Sequence, residues 1–295
     1  METIKVADTT CDIGENPLWH GDEGVLYWVD IPVGRLHRYD PAAGKDSVVW
    51  QAPTGRMIGG FTIEVDGSLT LFMDRGTVCR LRGGKMIGTV IEQIDDETDT
   101  RFNDVIADPA GRVFAGMMPP DHRPGRLYRF DPDGSHRVVL EGLTCPNGMG
   151  FSADGTTFFF SDTLTRRIDA FDYDVATGEI SGRRPFVQVP DREGEGGPDG
   201  MTIDADGRFW SARWGGSAVV AYNGAGREIL RIEVPTVKKV SSVTFGGAGA
   251  EHMYLTTAGG RNRAEEGPDA GALFRVEGAG RGRPEFRSNL GGESE

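Results

Sequence analysis

The sequence has 295 residues, a net charge of −13, 38% hydrophobic residues and 44 glycines. Such an acidic chain argues against nucleic acid or an anionic membrane surface as a partner, while 15 Phe and 5 Trp provide for a packed core. Three separated cysteines, Cys11, Cys79 and Cys145, indicate a reducing compartment without a disulfide framework. Because no signal-peptide pattern or membrane-length apolar run occurs, we expect a soluble, cytoplasmic protein.

Short alternating or aromatic runs predict β-strands along nearly the whole chain. In chain order these runs are Val25–Ile31, Arg35–Tyr39, Ser68–Met73, Thr77–Leu81, Arg112–Met117, Arg126–Phe130, Thr156–Ser161, Ile168–Tyr173, Arg208–Ala212, Ala218–Tyr222, His252–Thr257 and Ala272–Val276. Asp/Gly/Pro turn motifs such as DPAGR at 108 and DADGR at 204 separate them. No window shows a helical apolar stripe, so the sequence predicts an all-β protein.

The strands form pairs, and the first strand of each pair carries a central aromatic residue. These aromatic residues follow one another at intervals of 42 to 51 residues: Tyr27, Phe72, Phe114, Phe159, Trp210 and Tyr254. Six units of this length predict a six-bladed β-propeller with mostly four-stranded antiparallel blades around a central channel. Two stacked β-sandwiches, the alternative, would not predict a single register throughout the chain.

The propeller is predicted to be a single domain over residues 1–295, with an ordered core to about residue 278. The Gly/Arg-rich end, 279–295, is expected to be a flexible tail. This end and a second polar segment, Gly259–Gly271, share three open interpretations: they cover the mouth of the channel, close the propeller, or are disordered.

Aligning the units on their turns brings polar residues into one register. Asp199, in the stretch GGPDGMTIDADGRFW, lies seven residues before the turn residue Asp206, and Asn147 lies seven before Asp154. The equivalent positions in the other units are Glu15, Gly59, Asn103 and either Ser241 or Ser242. Because equivalent positions at the start of the innermost strands surround one mouth of a propeller channel, we expect these side chains to converge.

Glu15, Asn103, Asn147 and Asp199 would form a cluster of oxygen donors at this mouth. Converging carboxylates repel unless a cation lies between them, and oxygen ligands suit Ca²⁺, Mg²⁺ or Mn²⁺. The alternative is that these groups bind backbone amides and that water fills the channel. The usual motifs of serine hydrolases, nucleotide-binding proteins, zinc proteases and EF-hands are missing from the sequence.

Two further segments could contribute to the same mouth. Arg101, just before Asn103, could bind a substrate oxygen, or it could pair with Asp99 or Asp104. Asp121, in the loop MMPPDHRPG, could extend over the mouth, or this loop could be an ordinary solvated loop. The sequence pattern alone leaves both alternatives open.

Several motifs resemble the regucalcin (senescence marker protein)/gluconolactonase family of six-bladed propellers. They are GENPLW at 14–19, RFNDVIADPAGRVFAG at 101–116, PNGMGFS at 146–152, DAFDYDVATGEISGRR at 169–184, PDGMTIDADGRFW at 198–210 and FGG at 245–247. They occur in the family's order and at similar intervals. The resemblance therefore implies hydrolysis of a small-molecule sugar lactone with one divalent metal ion, which could be Ca²⁺, Mn²⁺, Mg²⁺ or Zn²⁺.

The resemblance also implies roles for individual residues. Glu15, Asn147 and Asp199 resemble the family's metal ligands, and Asp199 also its proton donor and acceptor. Arg101 and Asn103 resemble its substrate-binding pair, and Asp121 stands near a substrate-contacting acid in a loop that departs from the family pattern.

Two other functions stay open at this point. One is a non-catalytic Ca²⁺-binding regulatory propeller, and the other is a related propeller esterase or organophosphate hydrolase. We expect a monomer or a weak homo-oligomer.

Overall fold

Six four-stranded antiparallel sheets make up the fold of residues 1–290, the part of the chain that the computed structural model describes. Each sheet is one blade. The first strand of each blade contacts the first strands of both neighbouring blades, and these contacts run without a break around the ring. The predicted six-bladed propeller is confirmed.

Blades 1 to 3 follow one another in chain order. Blade 1 contains β2 (Gly14–His20), β3 (Val25–Asp30), β4 (Arg35–Asp40) and β5 (Lys45–Gln51). Blade 2 contains β6 (Ile58–Ile63), β7 (Leu69–Met73), β8 (Val78–Arg82) and β9 (Lys85–Ile91). Blade 3 contains β10 (Phe102–Ala107), β11 (Val113–Met117), β12 (Gly125–Phe130) and β13 (His136–Leu143).

Blades 4 to 6 complete the ring. Blade 4 contains β14 (Pro146–Phe151), β15 (Thr157–Asp162), β16 (Arg167–Asp174) and β17 (Glu179–Gln188). Blade 5 contains β18 (Gly197–Ile203), β19 (Phe209–Trp214), β20 (Ala218–Tyr222) and β21 (Glu228–Glu233). Blade 6 contains β22 (Val240–Gly246), β23 (His252–Thr257), β24 (Leu273–Glu277) and the N-terminal strand β1 (Thr3–Ala7). The single short α-helix found in residues 1–290 is α1 (Arg263–Glu266), and 3₁₀ turns occur at Asp95–Glu97, Thr163–Thr165 and Gly260–Asn262.

Pairing of the two ends of the chain closes the ring. β1 pairs antiparallel with β24, with Thr3 opposite Val276, so the last blade takes its outer strand from the N-terminus. The 259–271 segment supports this closure, because Cys11 donates a backbone hydrogen bond to Gly271 (3.1 Å) and Arg263 pairs with Asp8 (2.8 Å). Of the three interpretations of this segment, closing the propeller matches the structure.

The hydrophobic core lies between the blades. The six aromatic residues of the predicted repeat fall on the second strand of each blade, and all six are buried.

The hairpin turns have local causes. In blade 5 the buried Asp204 accepts the backbone N–H groups of Asp206 (3.0 Å) and Arg208 (2.9 Å), together with the Trp210 indole N–H (2.8 Å). The DADGR motif therefore holds the turn and the second strand together.

Residues 279–290, which the sequence predicts to be part of a flexible tail, are packed against the propeller. Ser288 Oγ donates to Glu64 Oε1 (2.6 Å), and the Leu290 N–H donates to Glu64 Oε2 (2.9 Å). Residues 283–286 line a cavity of about 220 Å³ that lies further along the inner strands. The tail prediction is therefore wrong for 279–290, and 291–295 lie outside the described residues.

No helix within residues 1–290 has the length and apolar character needed to cross a membrane.

Candidate active site

Each inner strand has a break in its register at the ring position that the sequence predicts. In β18 the break falls between Pro198 and Met201, and corresponding breaks occur in β2, β6, β10, β14 and β22. In β18 the last paired residue before the break is Pro198, which lies opposite Arg213 and directly precedes the ring residue Asp199. In β22 the last paired residue before the break is Val240, which lies opposite Thr257. The sixth ring position is therefore Ser241, the residue after Val240, rather than Ser242.

Close packing between neighbouring inner strands explains the glycine that follows two of the ring residues. A Cβ atom on Gly148 would lie 2.4 Å from the Asp199 carbonyl oxygen, and one on Gly200 would lie 2.1 Å from Ser242 Oγ. Any larger residue would push the strands apart. The sequence pairs Asn147-Gly148 and Asp199-Gly200 therefore combine a functional side chain with a close strand contact.

Five of the six site residues predicted from the sequence line one cavity of about 220 Å³ at this mouth. They are Glu15, Arg101, Asn103, Asn147 and Asp199. The remaining wall consists of Ile13, Met118, Cys145, Thr163, Leu164 and Trp214. The cavity thus receives polar side chains from blades 1, 3, 4 and 5, and the rest of its wall is mostly apolar or sulfur-containing.

The other two ring positions have structural roles. A Cβ atom on Gly59 would lie 2.0 Å from the Phe102 carbonyl oxygen, so that position admits only glycine. Ser241 is fully buried and donates its hydroxyl to the Gly14 carbonyl. Neither residue lines the cavity.

The polar side chains of blades 3 and 4 are linked by hydrogen bonds. Arg101 Nη1 donates to Asn103 Oδ1 (2.7 Å), and Asn103 Nδ2 donates to Asn147 Oδ1 (3.2 Å). Asn147 Nδ2 donates to Thr163 Oγ1 (2.8 Å). The two carboxamides are therefore already oriented before any ligand binds.

The two carboxylates of the ring are buried, with Glu15 at 5% and Asp199 at 2% exposure. Burial raises the pKa of Glu15 to about 8, and repulsion from Asp104 adds to the shift. Burial also raises the pKa of Asp199 well above its usual range, and the charges of Glu15 and Asp104 raise it further. Glu15 accepts a hydrogen bond from the Asn16 backbone N–H (3.0 Å), and the positive charge of Arg101 opposes both pKa shifts.

This arrangement fits a divalent cation. Glu15 and Asp199 are buried carboxylates whose ionisation costs free energy, and Asn147 lines the same cavity. These three residues provide the hard oxygen ligands that such ions prefer. A cation between them would reverse the pKa shifts, because an opposite charge favours the ionised carboxylates. Glu15, Asn147 and Asp199 are therefore the residues that could hold it.

A separate buried group contains Cys11, Asp30 and His37, whose potential ligand atoms all lie within 4.8 Å of one another. None of the three lines the cavity. Asp30 Oδ1 accepts the Ile13 backbone N–H (3.1 Å), which holds the segment leading into β2. This carboxylate therefore already has a structural role at the closure of the ring.

The structure does not bring Asp121 to the cavity. Asp121 is exposed, in the loop between β11 and β12, and the neighbouring His122 faces Asp99 (3.4 Å). The interpretation of this segment as an ordinary solvated loop matches the structure.

Sequence reasoning missed two residues near the site. Asp104 is a buried acid whose backbone lies in the left-handed region (φ 55°), and burial raises its pKa to about 7. Asp104 falls within the register break of β10, directly after Asn103, and lines the second cavity, further along the inner strands. Thr163 lies in a 3₁₀ turn after β15, outside the repeated motif. For Asp104 the sequence offered one signal, an acidic residue directly after the ring residue Asn103. For Thr163 the repeat offered none.

Comparisons with known proteins agree with this architecture. The family model described as SMP-30/Gluconolactonase/LRE-like region matches residues 13–259. The chain is 50% identical to a protein described as pentonolactonase XacC from Haloferax volcanii, covering 98% of this chain and 99% of that one. It is 34% identical to regucalcin from Xenopus laevis, covering 95% of this chain and 96% of that one.

Solved structures show the same fold. A luciferin-regenerating enzyme superposes with a TM-score of 0.88 at 25% identity, over 98% of this chain and 99% of that one. A calcium-binding protein described as regucalcin, from Agrobacterium tumefaciens, superposes with a TM-score of 0.85 at 27% identity, over 97% of both chains.

Proposed function

The chain belongs to the SMP-30/gluconolactonase/LRE-like family, and from this premise we propose that it is a metal-dependent hydrolase that opens sugar lactones to aldonic acids. The family resemblance of the sequence motifs is thereby confirmed. The observation that carries the proposal is the convergence of two buried carboxylates, two oriented carboxamides and one arginine in a single cavity. The 50% identical relative is described as a pentonolactonase, so a five-carbon aldonolactone is our first candidate substrate.

In this proposal Glu15, Asn147 and Asp199 hold one divalent ion. Oxygen ligands favour Ca²⁺, Mn²⁺ or Mg²⁺ over Zn²⁺, which more often takes His or Cys ligands. Among the relatives, a protein described as calcium-binding superposes closely on this chain. Calcium is therefore the first ion to test, followed by manganese and magnesium.

Arg101 and Asn103 are the proposed substrate-binding residues. The Arg101 guanidinium offers several donors to sugar oxygens, and burial lowers its pKa. The hydrogen bond between Arg101 and Asn103 holds both groups on one side of the cavity. The apolar side chains of Trp214 and Met118 exclude water from the other faces of a bound lactone.

The proposed reaction needs one proton acceptor in the cavity, and we assign this role to Asp199, a buried carboxylate of the cavity wall. Asp199 accepts a proton from water as the water oxygen forms a bond to the lactone carbonyl carbon. The same proton then passes to the ring oxygen as the ring C–O bond breaks, which leaves the hydroxy acid. When bound, a divalent ion supplies a Lewis acid that stabilises negative charge on the carbonyl oxygen.

A lactonase assay tests the proposal. Purified protein is stripped with EDTA and supplied with pentono- and hexonolactones and a pH indicator, with and without Ca²⁺, Mn²⁺, Mg²⁺ or Zn²⁺. We expect metal-dependent acid release that falls about 10²-fold or more in Asp199→Asn. The exposed Glu193→Gln is the matched control. Full turnover in EDTA, or in Asp199→Asn, would contradict the proposal.

The same experiment separates the main alternative, a non-catalytic calcium-binding protein, which would bind Ca²⁺ without hydrolysing any lactone. Relatives described as regucalcin give this alternative its support. Activity on aryl esters or organophosphates without lactone turnover would instead favour a propeller esterase. The expected monomer or weak homo-oligomer stays a prediction.

A further inference from the structure

We propose that Thr163 is a positioning residue that sets the orientation of the Asn147 carboxamide and keeps its oxygen available to a bound cation. The inference rests on the proposed metal site, because Asn147 matters here as one of its ligands. Thr163 is buried at 7% exposure and lines the cavity. Neither the family motifs nor the ring register indicates a role for it.

The hydroxyl of Thr163 can act in only one way toward Asn147. Its single proton goes to the Pro198 carbonyl oxygen (2.8 Å), which can only accept. Toward Asn147 the hydroxyl can therefore only accept, and it does so from Nδ2 (2.8 Å). With the amide nitrogen on the Thr163 side, the amide oxygen must lie on the opposite side, next to Asn103.

The other end of the same hydrogen-bond chain has the same direction. Arg101 can only donate, so Asn103 presents Oδ1 to it (2.7 Å). Asn103 Nδ2 then donates to the Pro146 carbonyl (2.7 Å) and to Asn147 Oδ1 (3.2 Å). Arg101, at one end of this chain of hydrogen bonds, can only donate, and the Pro198 carbonyl, at the other end, can only accept. Both carboxamides therefore have one consistent orientation.

Packing fixes Thr163 itself. Its backbone N–H donates to the Cys145 carbonyl (3.1 Å), and its methyl group packs against Gly197, where a Cβ atom would lie 2.7 Å from Thr163 Cγ2. The hydroxyl is therefore held toward Asn147 and Pro198. Because Pro198 directly precedes Asp199, this one side chain connects two proposed metal ligands in neighbouring blades.

Orientation matters because the two ends of a carboxamide differ. Its oxygen binds cations, whereas its NH₂ group repels them. In Thr163→Val a methyl group replaces the hydroxyl at nearly constant volume. Asn147 Nδ2 then loses its oxygen acceptor and keeps only the weak Cys145 Sγ acceptor (3.7 Å). The amide can then rotate, and cation binding requires it to return to one orientation.

Metal binding measured by titration calorimetry tests this role. With Mn²⁺ and with Ca²⁺ as probes, we expect Thr163→Val to raise Kd about 10- to 100-fold, the usual range for removing such a partner, while Thr163→Ser stays within about threefold of wild type. In an Asn147→Ala background, Thr163→Val should change Kd by less than about twofold, because the amide that it orients is gone. Equal affinity in Thr163→Val and wild type, or an equal loss in the Asn147→Ala background, would overturn the proposal.

A metal-free measurement keeps this inference separate from the proposed function. The side-chain amide protons of Asn147 are assigned in a ¹H–¹⁵N spectrum by comparison with Asn147→Asp, in the presence of EDTA. We expect one of them to exchange slowly with solvent in wild type and Thr163→Ser, and rapidly in Thr163→Val. Slow exchange in Thr163→Val would refute the role of Thr163. A wild-type protein that binds neither ion but shows the expected exchange pattern would refute only the metal-dependent function.

Discussion

Replacing Glu15 with glutamine is expected to stabilise the metal-free protein at alkaline pH, although it removes a proposed metal ligand. Burial raises the pKa of Glu15 from 4.5 to about 8 in the folded protein. When folding raises the pKa of a carboxyl group, the folded state has its full stability only at pH values below the unfolded-state pKa. That stability is lost as the pH rises from 4.5 through about 8. Glutamine has nearly the same shape and does not ionise.

The size of the effect follows from the pKa shift. At about 1.4 kcal/mol per pKa unit, ionising Glu15 lowers the free energy of unfolding by an amount on the order of 4 kcal/mol above pH 8. At about 2–4 °C per kcal/mol for a chain of this size, Glu15→Gln should have a Tm about 10 °C above wild type in EDTA at pH 9. At pH 4 the two proteins should differ little, because Glu15 is then protonated in both the folded and the unfolded state.

Thermal unfolding followed by circular dichroism, from pH 4 to pH 9 in EDTA, measures this difference. The exposed Glu193→Gln, which removes one charge elsewhere, is the control and should follow wild type at every pH. Saturating Mn²⁺ or Ca²⁺ should reverse the order at pH 9, because only wild type retains both carboxylates of the site. A Glu15→Gln protein no more stable than wild type in EDTA at pH 9 would refute the claim that burial makes ionisation of Glu15 unfavourable in the folded protein.

Three further changes test how the fold holds the site. Gly200→Ala places a Cβ atom 2.1 Å from Ser242 Oγ, so we expect a loss of about 1–3 kcal/mol in chemical denaturation. Asp204→Ala removes the buried acceptor of several hydrogen bonds and should cost about 3 kcal/mol or more, whereas Asp154→Ala, in the exposed turn of blade 4, should cost about 1 kcal/mol or less. Ser288→Ala loses a buried bond to a glutamate (2.6 Å) and should lower stability by about 1–3 kcal/mol; no change would argue against a packed C-terminal segment.

Much of the fold was predictable because its signals are local. Alternation along a strand and Asp/Gly turns depend on neighbours in the chain, and a propeller repeats them six times. The aromatic residues Tyr27 to Tyr254 therefore marked the second strand of every blade. The same periodicity aligned Glu15, Asn103, Asn147 and Asp199, because equivalent positions in equivalent blades lie around one mouth.

Contacts between distant segments decided the rest. Residues 279–290 have a composition typical of a mobile segment, but Glu64 in blade 2 binds Ser288 and Leu290. The Asp121 loop follows no repeat, so its distance from the cavity had no sequence signal. The break in β10 interrupts the simple alternation of the strand at Asp104, which lines the cavity further along the inner strands.

The sequence by itself thus determined the number of blades and the chemical character of the ring, because both follow from periodic, local patterns. Only the tertiary structure decided that Gly59 and Ser241 serve packing while the other four ring residues share a cavity. It also placed Thr163 beside Asn147 and Pro198. Those relations depend on how adjacent blades approach one another, and that approach is set by side-chain packing between strands far apart in the chain.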